Sequence, residues 1–176
     1  MLEEPIIDLF SDEFFMREAM RQAMRAARLD EVPVGALIVH DGQVIARAFN
    51  QMETLKDATA HAEILAITQA SEALGAWRLE KCTMYVTKEP CPMCAGAIVL
   101  SRIERLVFAT SDPKMGGAGG LFNITHHPSL NHQVEVVSGV LEAECTQLIK
   151  QFFQKKRTEA KKVEQKNQAG DEISRI

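Results

Sequence analysis

The segment 83–109 constrains the fold more than any other part of the chain, because a short helical pattern separates two apolar runs. Residues 83–87 (TMYVT) and 103–109 (IERLVFA) are rich in the β-branched, aromatic and apolar side chains of buried strands. Between them, residues 92–101 begin with proline, which favours the first turn of a helix, and continue with small and apolar residues. The spacing predicts two parallel strands joined by a right-handed helical crossover.

The rest of the chain supplies further helices and strands around this unit. Apolar spacing predicts helices over residues 12–29, 61–74 and from 142 to at least 156, with Ser11 or Asp12 capping the first and Thr59 the second. Strand patterns cover residues 34–40, 43–49 and 134–137, with a hairpin signal at Asp41-Gly42. Together these elements predict an α/β three-layer sandwich, with one mixed five-stranded sheet and helices on both faces.

The length of 176 residues is that of a single domain. We expect this domain to comprise residues 1–163, followed by a polar segment, residues 164–176, that frays. Residues 1–13 hold five acidic side chains and no basic one, unlike a secretory signal peptide. No apolar run approaches the roughly 18 residues that span a bilayer. These features predict a cytoplasmic protein without a membrane segment.

Two short motifs carry the chemistry: His61-Ala62-Glu63 and Pro90-Cys91-Pro92-Met93-Cys94. Without a secretory signal, the cysteine spacing favours metal or redox work over a disulfide. On the first turn of a helix, the sulfurs of Cys91 and Cys94 can share one ion, and the helix N-terminus favours their thiolate forms. If His61 begins another helix at the same sheet edge, the three side chains form a zinc site with one position left for water.

A fourth protein ligand would turn this group into a closed, structural zinc site. Cys82 begins a strand and Cys145 falls in the apolar pattern of the last helix, so we interpret both as small buried residues. His126, His127 and His132 follow a glycine-rich loop and show no ligand spacing to the cysteines. A redox role for the cysteine pair stays open, although it leaves the first motif without a function.

The combined pattern, His-x-Glu followed about thirty residues later by Pro-Cys-x-x-Cys, is the known signature of zinc-dependent nucleobase deaminases; it is recognised here and not worked out from the spacing. It makes residues 1–163 a zinc-dependent deaminase domain. Zinc lowers the pKa of its bound water from about 16 towards 7. We expect Glu63 to take the water proton while hydroxide attacks the amino-bearing ring carbon, and then to protonate the ring nitrogen. The alternative for Glu63 is a solvent-exposed helix acid.

The wider sequence, from about Phe15 to Arg157, resembles the bacterial tRNA-specific adenosine deaminases. The runs that carry the resemblance are residues 31–36 (EVPVGA), 59–64 (TAHAEI), 89–98 (EPCPMCAGAI), 101–103 (SRI), 112–119 (DPKMGGAG) and 131–132 (NH). The resemblance implies a cytidine deaminase-like fold. It also implies hydrolytic deamination of the wobble adenosine of a tRNA anticodon to inosine, with arginine tRNA as the expected substrate.

The resemblance also implies roles for residues around the base. Asn50 matches the asparagine that hydrogen-bonds the target nucleoside, and Val34 matches an apolar wall of the base pocket. Asp112 and Lys114 match a loop that borders the anticodon. From the residues alone, Asn50 could equally belong to a turn and Val34 to the core.

Members of the family bind one zinc ion per subunit and are homodimers in which the partner helps to shape the RNA site. The resemblance therefore implies one zinc ion per subunit and a homodimer here. An apolar dimer face could come from Met93, Ile98, Val99 and Leu100, which could as well be intrachain core.

A basic stripe near the C-terminus fits a nucleic-acid substrate despite the formal net charge of −4. Residues 150–162 hold six basic side chains and one acidic one, and Lys155, Lys156 and Arg157 are expected to contact the RNA backbone. The phenylalanine pair 152–153 could stack on bases or pack in the core. The alternative for the whole stripe is a solvated helix face.

Two other functions remain open. A deaminase of a free base or nucleoside, such as cytosine, cytidine or guanine, would use the same zinc chemistry and need no basic stripe. A zinc-stabilised binding module without catalysis would need a fourth protein ligand and would leave Glu63 without a task.

Overall fold

The computed structural model describes the backbone of residues 10–173 and the side chains as far as Lys162. Within these residues the elements, in chain order, are α1 Asp12–Arg28, β1 Gly35–His40, β2 Gln43–Phe49, α2 Met52–Leu55, α3 Ala62–Leu74, β3 Cys82–Lys88, α4 Pro92–Leu100, β4 Arg105–Thr110, β5 Glu135–Ser138 and α5 Glu142–Ile173. The strand–helix–strand unit predicted from the sequence is β3, α4 and β4.

The five strands form one mixed sheet in the order β2-β1-β3-β4-β5. Strand β1 is antiparallel to β2 and to β3, whereas the β3–β4 and β4–β5 pairs are parallel. The crossover through α4 joins the parallel pair β3–β4, as expected for a connection that cannot be a short hairpin. The predicted mixed five-stranded sheet is confirmed.

Helices cover both faces of the sheet, which makes three layers. Because side chains alternate along a strand, Ala36 and Ile38 of β1 join the core cluster formed with α3 and α4. Leu37 and Val39, on the opposite face, join the cluster formed with α1 and Cys145 of α5. The predicted three-layer sandwich is confirmed, and the two clusters fix which helix ends meet at each sheet edge.

Several predicted boundaries shift by one or a few residues. Strand β1 begins at Gly35, so Val34 lies just before the strand and not within it. A side chain on Gly35 would place its Cβ 2.1 Å from the carbonyl oxygen of Ala19, so glycine is what allows β1 to pack this tightly against α1. Ser11 caps α1 by accepting a hydrogen bond from the N–H of Phe14 at 3.2 Å, as predicted.

The prediction that Thr59 caps the helix after residue 60 is wrong. His61 is the N-cap residue of α3, and the Thr59 hydroxyl instead donates to Asp57 at 2.7 Å. The polar connection after β2 also contains the four-residue helix α2. Neither change moves the start of α3 by more than one residue.

The last helix is longer than the minimum predicted, since α5 continues to Ile173. Fraying of residues 164–176 therefore stays a prediction about a mostly helical segment, and residues 174–176 lie outside the described part of the chain. Residues 1–9, which the predicted domain includes, also lie outside it. Along residues 10–173, no helix has both the length and the apolar character that crossing a bilayer requires.

Candidate active site

The two sequence motifs meet at one edge of the sheet, where two helices begin. His61 is the N-cap residue of α3, and Cys91 is the N-cap residue of α4, with Pro92 as the first helical residue. Cys94 lies in the first turn of α4 and is fully buried. The convergence of the three side chains that the motifs predicted is therefore present.

The three side chains have the separations of a tetrahedral metal site. The Nδ1 atom of His61 lies 3.6 Å from the sulfur of Cys91 and 3.4 Å from that of Cys94. Zinc bonds of about 2.3 Å to sulfur and about 2.05 Å to nitrogen at a tetrahedral angle place the two ligand atoms roughly 3.5 Å apart. Among the described residues, these ligand atoms form a possible metal-binding group that fits within 4.8 Å. Two thiols and an imidazole are the donor types that zinc prefers, so the residues fit this ion.

The other two cysteines are not part of this group. Cys82 and Cys145 are both buried in the core clusters. Burial raises the pKa of the Cys82 thiol to about 11 and that of the Cys145 thiol to about 12. The imidazole of His132 bonds the carbonyl oxygen of Ile103 at 2.7 Å, and His127 accepts from the N–H of Ser129. The interpretation of both cysteines as small buried residues is confirmed.

Hydrogen bonds within the group set its charge distribution. The thiol of Cys94 donates to Cys91 and, together with the neighbouring His61, lowers the pKa of Cys91 to about 4. The same hydrogen bond and burial raise the pKa of Cys94. The bond with Cys91 raises the pKa of His61. The negative charge therefore lies on the sulfur of Cys91, beside the imidazole of His61.

Glu63 lies in the first turn of α3 and is 4% exposed, so the alternative of a solvent-exposed acid is wrong. Burial raises the pKa of its carboxyl, against the opposing effect of His61. Its side chain contacts the thiol of Cys94. A buried carboxyl with a raised pKa beside a candidate metal site is suited to accept and return a proton near neutral pH.

A cavity of about 250 Å³ opens onto this group. Its wall includes His61, Glu63 and Cys91 together with two residues that the resemblance pointed to, Val34 and Asn50. The remaining lining residues are Val32, Met52, Lys88, Glu89, Ile149 and Phe153. A mostly apolar wall with a few converging polar groups is the usual character of a small-ligand site.

The other two residues expected at the substrate, Asp112 and Lys114, are not part of the wall of this cavity. The carboxylate of Asp112 pairs with Lys88, whose side chain lines the cavity. Asp112 also accepts hydrogen bonds from the N–H groups of Lys114 and Met115, at 3.0 and 3.2 Å. Lys114 is exposed. Asp112 is therefore joined to the cavity wall through Lys88, and Lys114 is joined to Asp112 through its backbone N–H.

The basic residues of α5 lie on the exposed side of that helix. Lys155 lies 3.8 Å from Glu159, whereas Lys156 pairs with Asp30 in the loop after α1. Of the predicted phenylalanine pair, Phe152 is buried in the core, and Phe153 is 42% exposed. Phe153 lines both the 250 Å³ cavity and an adjoining cavity of about 640 Å³ that includes Lys156.

Two buried glutamates, Glu31 and Glu89, belong to the site although no motif assigned them a role. Glu31 is fully buried and donors from Asn50 and the start of α2 surround it. Glu89 accepts hydrogen bonds from three backbone N–H groups of the glycine-rich loop, those of Asp112, Ala118 and Gly120. No local signal in the sequence marks either acid, because their hydrogen-bond partners lie 19 to 31 residues away in the chain.

The apolar residues of α4 divide between the interior and the surface. Ile98 and Val99 are buried in the intrachain core, so they are not part of an exposed dimer face. Met93 and Leu100 are 37% and 72% exposed. The predicted four-residue face is therefore reduced to these two side chains.

Comparison with known proteins shows similarity to deaminases over most of the chain. A family model described as MafB19-like deaminase matches residues 10–157. The tRNA-specific adenosine deaminase of Bacillus subtilis (strain 168) is 53% identical over 156 residues, which is 89% of this chain and 96% of that protein. The tRNA-specific adenosine deaminase of Aquifex aeolicus (strain VF5) is 50% identical over 145 residues, covering 82% and 95% of the two chains.

A solved structure gives the same result at the level of the fold. It comes from a study of A-to-I editing by tRNA:A34 deaminases at the wobble position of transfer RNA. It is 46% identical, has a TM-score of 0.74, and covers 76% of this chain and 97% of that one.

Proposed function

Since the chain belongs to the tRNA-specific adenosine deaminases, we propose that it hydrolyses the wobble adenosine of a tRNA anticodon, that of arginine tRNA, to inosine. Its three-layer fold is the cytidine deaminase-like fold that the sequence predicted. The observation that carries the proposal is the meeting of His61, Cys91, Cys94 and Glu63 at one 250 Å³ cavity.

His61, Cys91 and Cys94 would hold one zinc ion per subunit. The fit rests on their donor types and on the nitrogen–sulfur separations of 3.4 and 3.6 Å. When bound, zinc supplies a water nucleophile that is activated at neutral pH. Three protein ligands leave one coordination position for that water, as in catalytic zinc sites.

Glu63 moves the protons of the reaction in this proposal. Its carboxylate accepts a proton from water as the oxygen bonds to the amino-bearing carbon of the purine, and it passes this proton to the adjacent ring nitrogen. It then takes the second proton of the water and delivers it to the amino group. The carbon–nitrogen bond breaks and ammonia leaves, so one water is consumed for each inosine formed. The raised pKa of this buried carboxyl suits a group that must hold a proton between these steps.

The cavity wall orients the base in front of Glu63. Val34 provides an apolar surface for the ring, and the side chain of Asn50 hydrogen-bonds the nucleoside. Asp112, which pairs with the cavity residue Lys88, and the exposed Lys114 border the neighbouring anticodon nucleotides in this proposal. An anticodon loop suits such a cavity, because a base in a loop can be turned out at a modest energetic cost.

The C-terminal basic stripe contacts the RNA backbone through Lys155, Lys156 and Arg157. Lys156 lies beside the adjoining cavity that shares Phe153 with the reaction cavity. A phosphate there would replace Asp30 as the partner of this ammonium group. We further propose a cytoplasmic homodimer, in which the exposed Met93 and Leu100 of α4 contribute to the apolar contact.

The test is deamination of an anticodon stem-loop by the zinc-loaded protein. The substrate is the arginine tRNA stem-loop with adenosine at the wobble position, and the product is inosine measured by mass spectrometry of nucleosides. A stem-loop with cytidine at that position, an adenosine stem-loop from another tRNA, and free adenosine, cytidine and guanine are assayed in parallel. We expect inosine from the arginine stem-loop alone.

Each contrary outcome of this assay would reject a different part of the proposal. Turnover of free nucleosides or bases without turnover of the stem-loop would reject RNA as the substrate and favour a small-molecule deaminase. Equal turnover of both adenosine stem-loops would reject the arginine tRNA assignment only. No turnover of any substrate by protein that holds one zinc ion would reject the deaminase function.

A further inference from the structure

Glu31 is a fully buried acid in the loop between α1 and β1. One of its oxygens accepts a hydrogen bond from the side-chain Nδ2 of Asn50 at 3.1 Å and another from the N–H of Glu53 at 3.2 Å. Its other oxygen accepts from the N–H of Thr54 at 2.6 Å. A buried carboxylate needs such donors, because it loses the water that would otherwise solvate it.

Two of the three bonds have a structural purpose. Glu53 and Thr54 are the second and third residues of α2, whose own N-cap residue, Gln51, makes no side-chain capping bond. Glu31 therefore caps α2 from another part of the chain, and its charge lies where the positive end of a helix favours it. The third bond, to Asn50, contributes nothing to this cap.

That third bond fixes the orientation of the Asn50 amide. A carboxylate only accepts hydrogen bonds, so the NH₂ group of Asn50 must face Glu31 and the amide oxygen must face away from it. The backbone of Asn50 is also held, because its N–H donates to the carbonyl oxygen of Val34 at 3.0 Å. Asn50 is 4% exposed and lines the reaction cavity, so its oxygen remains as an acceptor for whatever fills that cavity.

We propose that Glu31 is a positioning residue that fixes the Asn50 amide so that its oxygen accepts a hydrogen bond from the 2′-hydroxyl of the target nucleotide. This inference rests on the proposed function. An adenosine inside an RNA chain offers two kinds of donor, its exocyclic amino group and its 2′-hydroxyl, because its 3′ and 5′ oxygens are in phosphodiester bonds and its ring oxygen carries no hydrogen. In the proposed reaction the amino group faces Glu63, which protonates it, and this leaves the hydroxyl for Asn50.

The test exchanges the two partners of the bond. Asn50→Asp places two carboxylates against each other and is expected to lower kcat/KM on the stem-loop at least about 100-fold. In Glu31→Gln, the amide of residue 31 can meet either end of the Asn50 amide, so the orientation is no longer fixed. The double variant Glu31→Gln/Asn50→Asp restores a donor facing an acceptor at residue 50 and leaves one Asp oxygen free. It gives up the bond from the N–H of Glu53, which reaches the same oxygen of Glu31, but keeps the one from Thr54. Its kcat/KM on the stem-loop is expected to be at least about tenfold higher than that of Asn50→Asp.

The second readout compares adenosine with 2′-deoxyadenosine at the wobble position for each variant. The ratio of the two kcat/KM values is independent of the fraction of folded, zinc-loaded protein. We expect a ratio of about ten for the wild type, as for one neutral hydrogen bond, and of about two for Glu31→Gln. The matched control is Glu72→Gln on the exposed side of α3, which should keep the wild-type ratio.

The inference is overturned by a wild-type ratio near one, by a wild-type ratio in Glu31→Gln, or by a double variant no more active than Asn50→Asp. Zinc content and thermal unfolding of every variant are measured alongside the kinetics. If the wild type makes no inosine from the ribonucleotide stem-loop, the proposed function itself fails. If the wild type makes inosine but the exchange does not restore activity, only the role of Glu31 fails.

Discussion

Replacing Glu89 by alanine tests how the glycine-rich loop is held beside the reaction cavity. The carboxylate accepts from the N–H groups of Asp112, Ala118 and Gly120 at 2.7, 3.0 and 2.8 Å. The loop fits closely around it, since a Cβ on Gly116 would lie 2.3 Å from the carboxyl carbon. The loop depends on this one buried side chain for three of its backbone hydrogen bonds.

The expected loss follows from the burial of each donor. The N–H of Ala118 is buried, so leaving it unpaired costs about 2 kcal/mol. The N–H groups of Asp112 and Gly120 are part-buried and can bond to water instead. Loss of each of these two hydrogen bonds therefore lowers the unfolding free energy by about 1 kcal/mol. The sum is about 4 kcal/mol of unfolding free energy, which for a domain of this size lowers Tm by roughly 12 °C.

The assay is urea unfolding of the zinc-loaded protein, with amide hydrogen exchange to locate the change. Exchange should accelerate in residues 112–120 more than in the sheet. Glu80→Ala is the control, because its exposed carboxylate lies 3.6 Å from Arg78 and such pairs contribute little. A loss of unfolding free energy below about 1 kcal/mol in Glu89→Ala, or unchanged exchange in the loop, would show that Glu89 does not hold the loop.

Four further predictions concern the metal, the RNA and the pH dependence. Cys94→Ser should lose most of the bound zinc by elemental analysis, whereas Cys145→Ala should keep one ion per chain. Replacing Lys155, Lys156 and Arg157 together by alanine should reduce the slope of log K against log salt for the stem-loop by about 2. Asp30→Asn should tighten that binding about threefold at low salt by freeing Lys156, and unchanged binding would contradict the pairing. The Arg105 guanidinium donates two hydrogen bonds to the Asp12 carboxylate, at 2.7 and 2.8 Å, and lowers the pKa of that carboxyl. The pair therefore stabilises the fold fully above the usual carboxyl pKa, and this stabilisation disappears as the pH falls through the lowered pKa of Asp12. Asp12→Asn should therefore be less stable than the wild type at pH 7, and a destabilisation as large at pH 2 would contradict this account.

Much of the fold was predictable because its signals are local. Period-two and helical apolar patterns identified the five strands and the long helices, and the β3–α4–β4 unit fixed the parallel part of the sheet. The pairing of Cys91 and Cys94 was predictable from their spacing, because ligands one helical turn apart can share an ion. His61 was predictable from the known signature that its motif forms with the cysteine motif. The predicted cap at Thr59 was wrong because another local contact competes for the Thr59 hydroxyl. A nearby acceptor, Asp57, binds the hydroxyl that would have capped α3.

What the sequence did not reveal depends on contacts between distant residues. Glu31 and Asn50 are 19 residues apart, and Glu89 meets loop donors 23 to 31 residues further along the chain. No periodicity reports such a bond, and an acid beside a proline looks like an exposed turn until the sheet brings the donors together. Lys88 illustrates the same limit, because only the fold shows that it lines the cavity and pairs with Asp112.

Bound zinc and inosine formation, measured on the same preparations of the wild type and Glu63→Ala, separate proton transfer by Glu63 from metal binding. The account predicts one zinc ion per chain in both proteins, because Glu63 is not among the three ligands. It predicts inosine from the wild type and a rate at least about 1000-fold lower from the variant, which lacks its proton carrier. Loss of zinc from the variant would make Glu63 a ligand, and turnover within tenfold of the wild type would remove it from the chemistry. Either result would contradict the account.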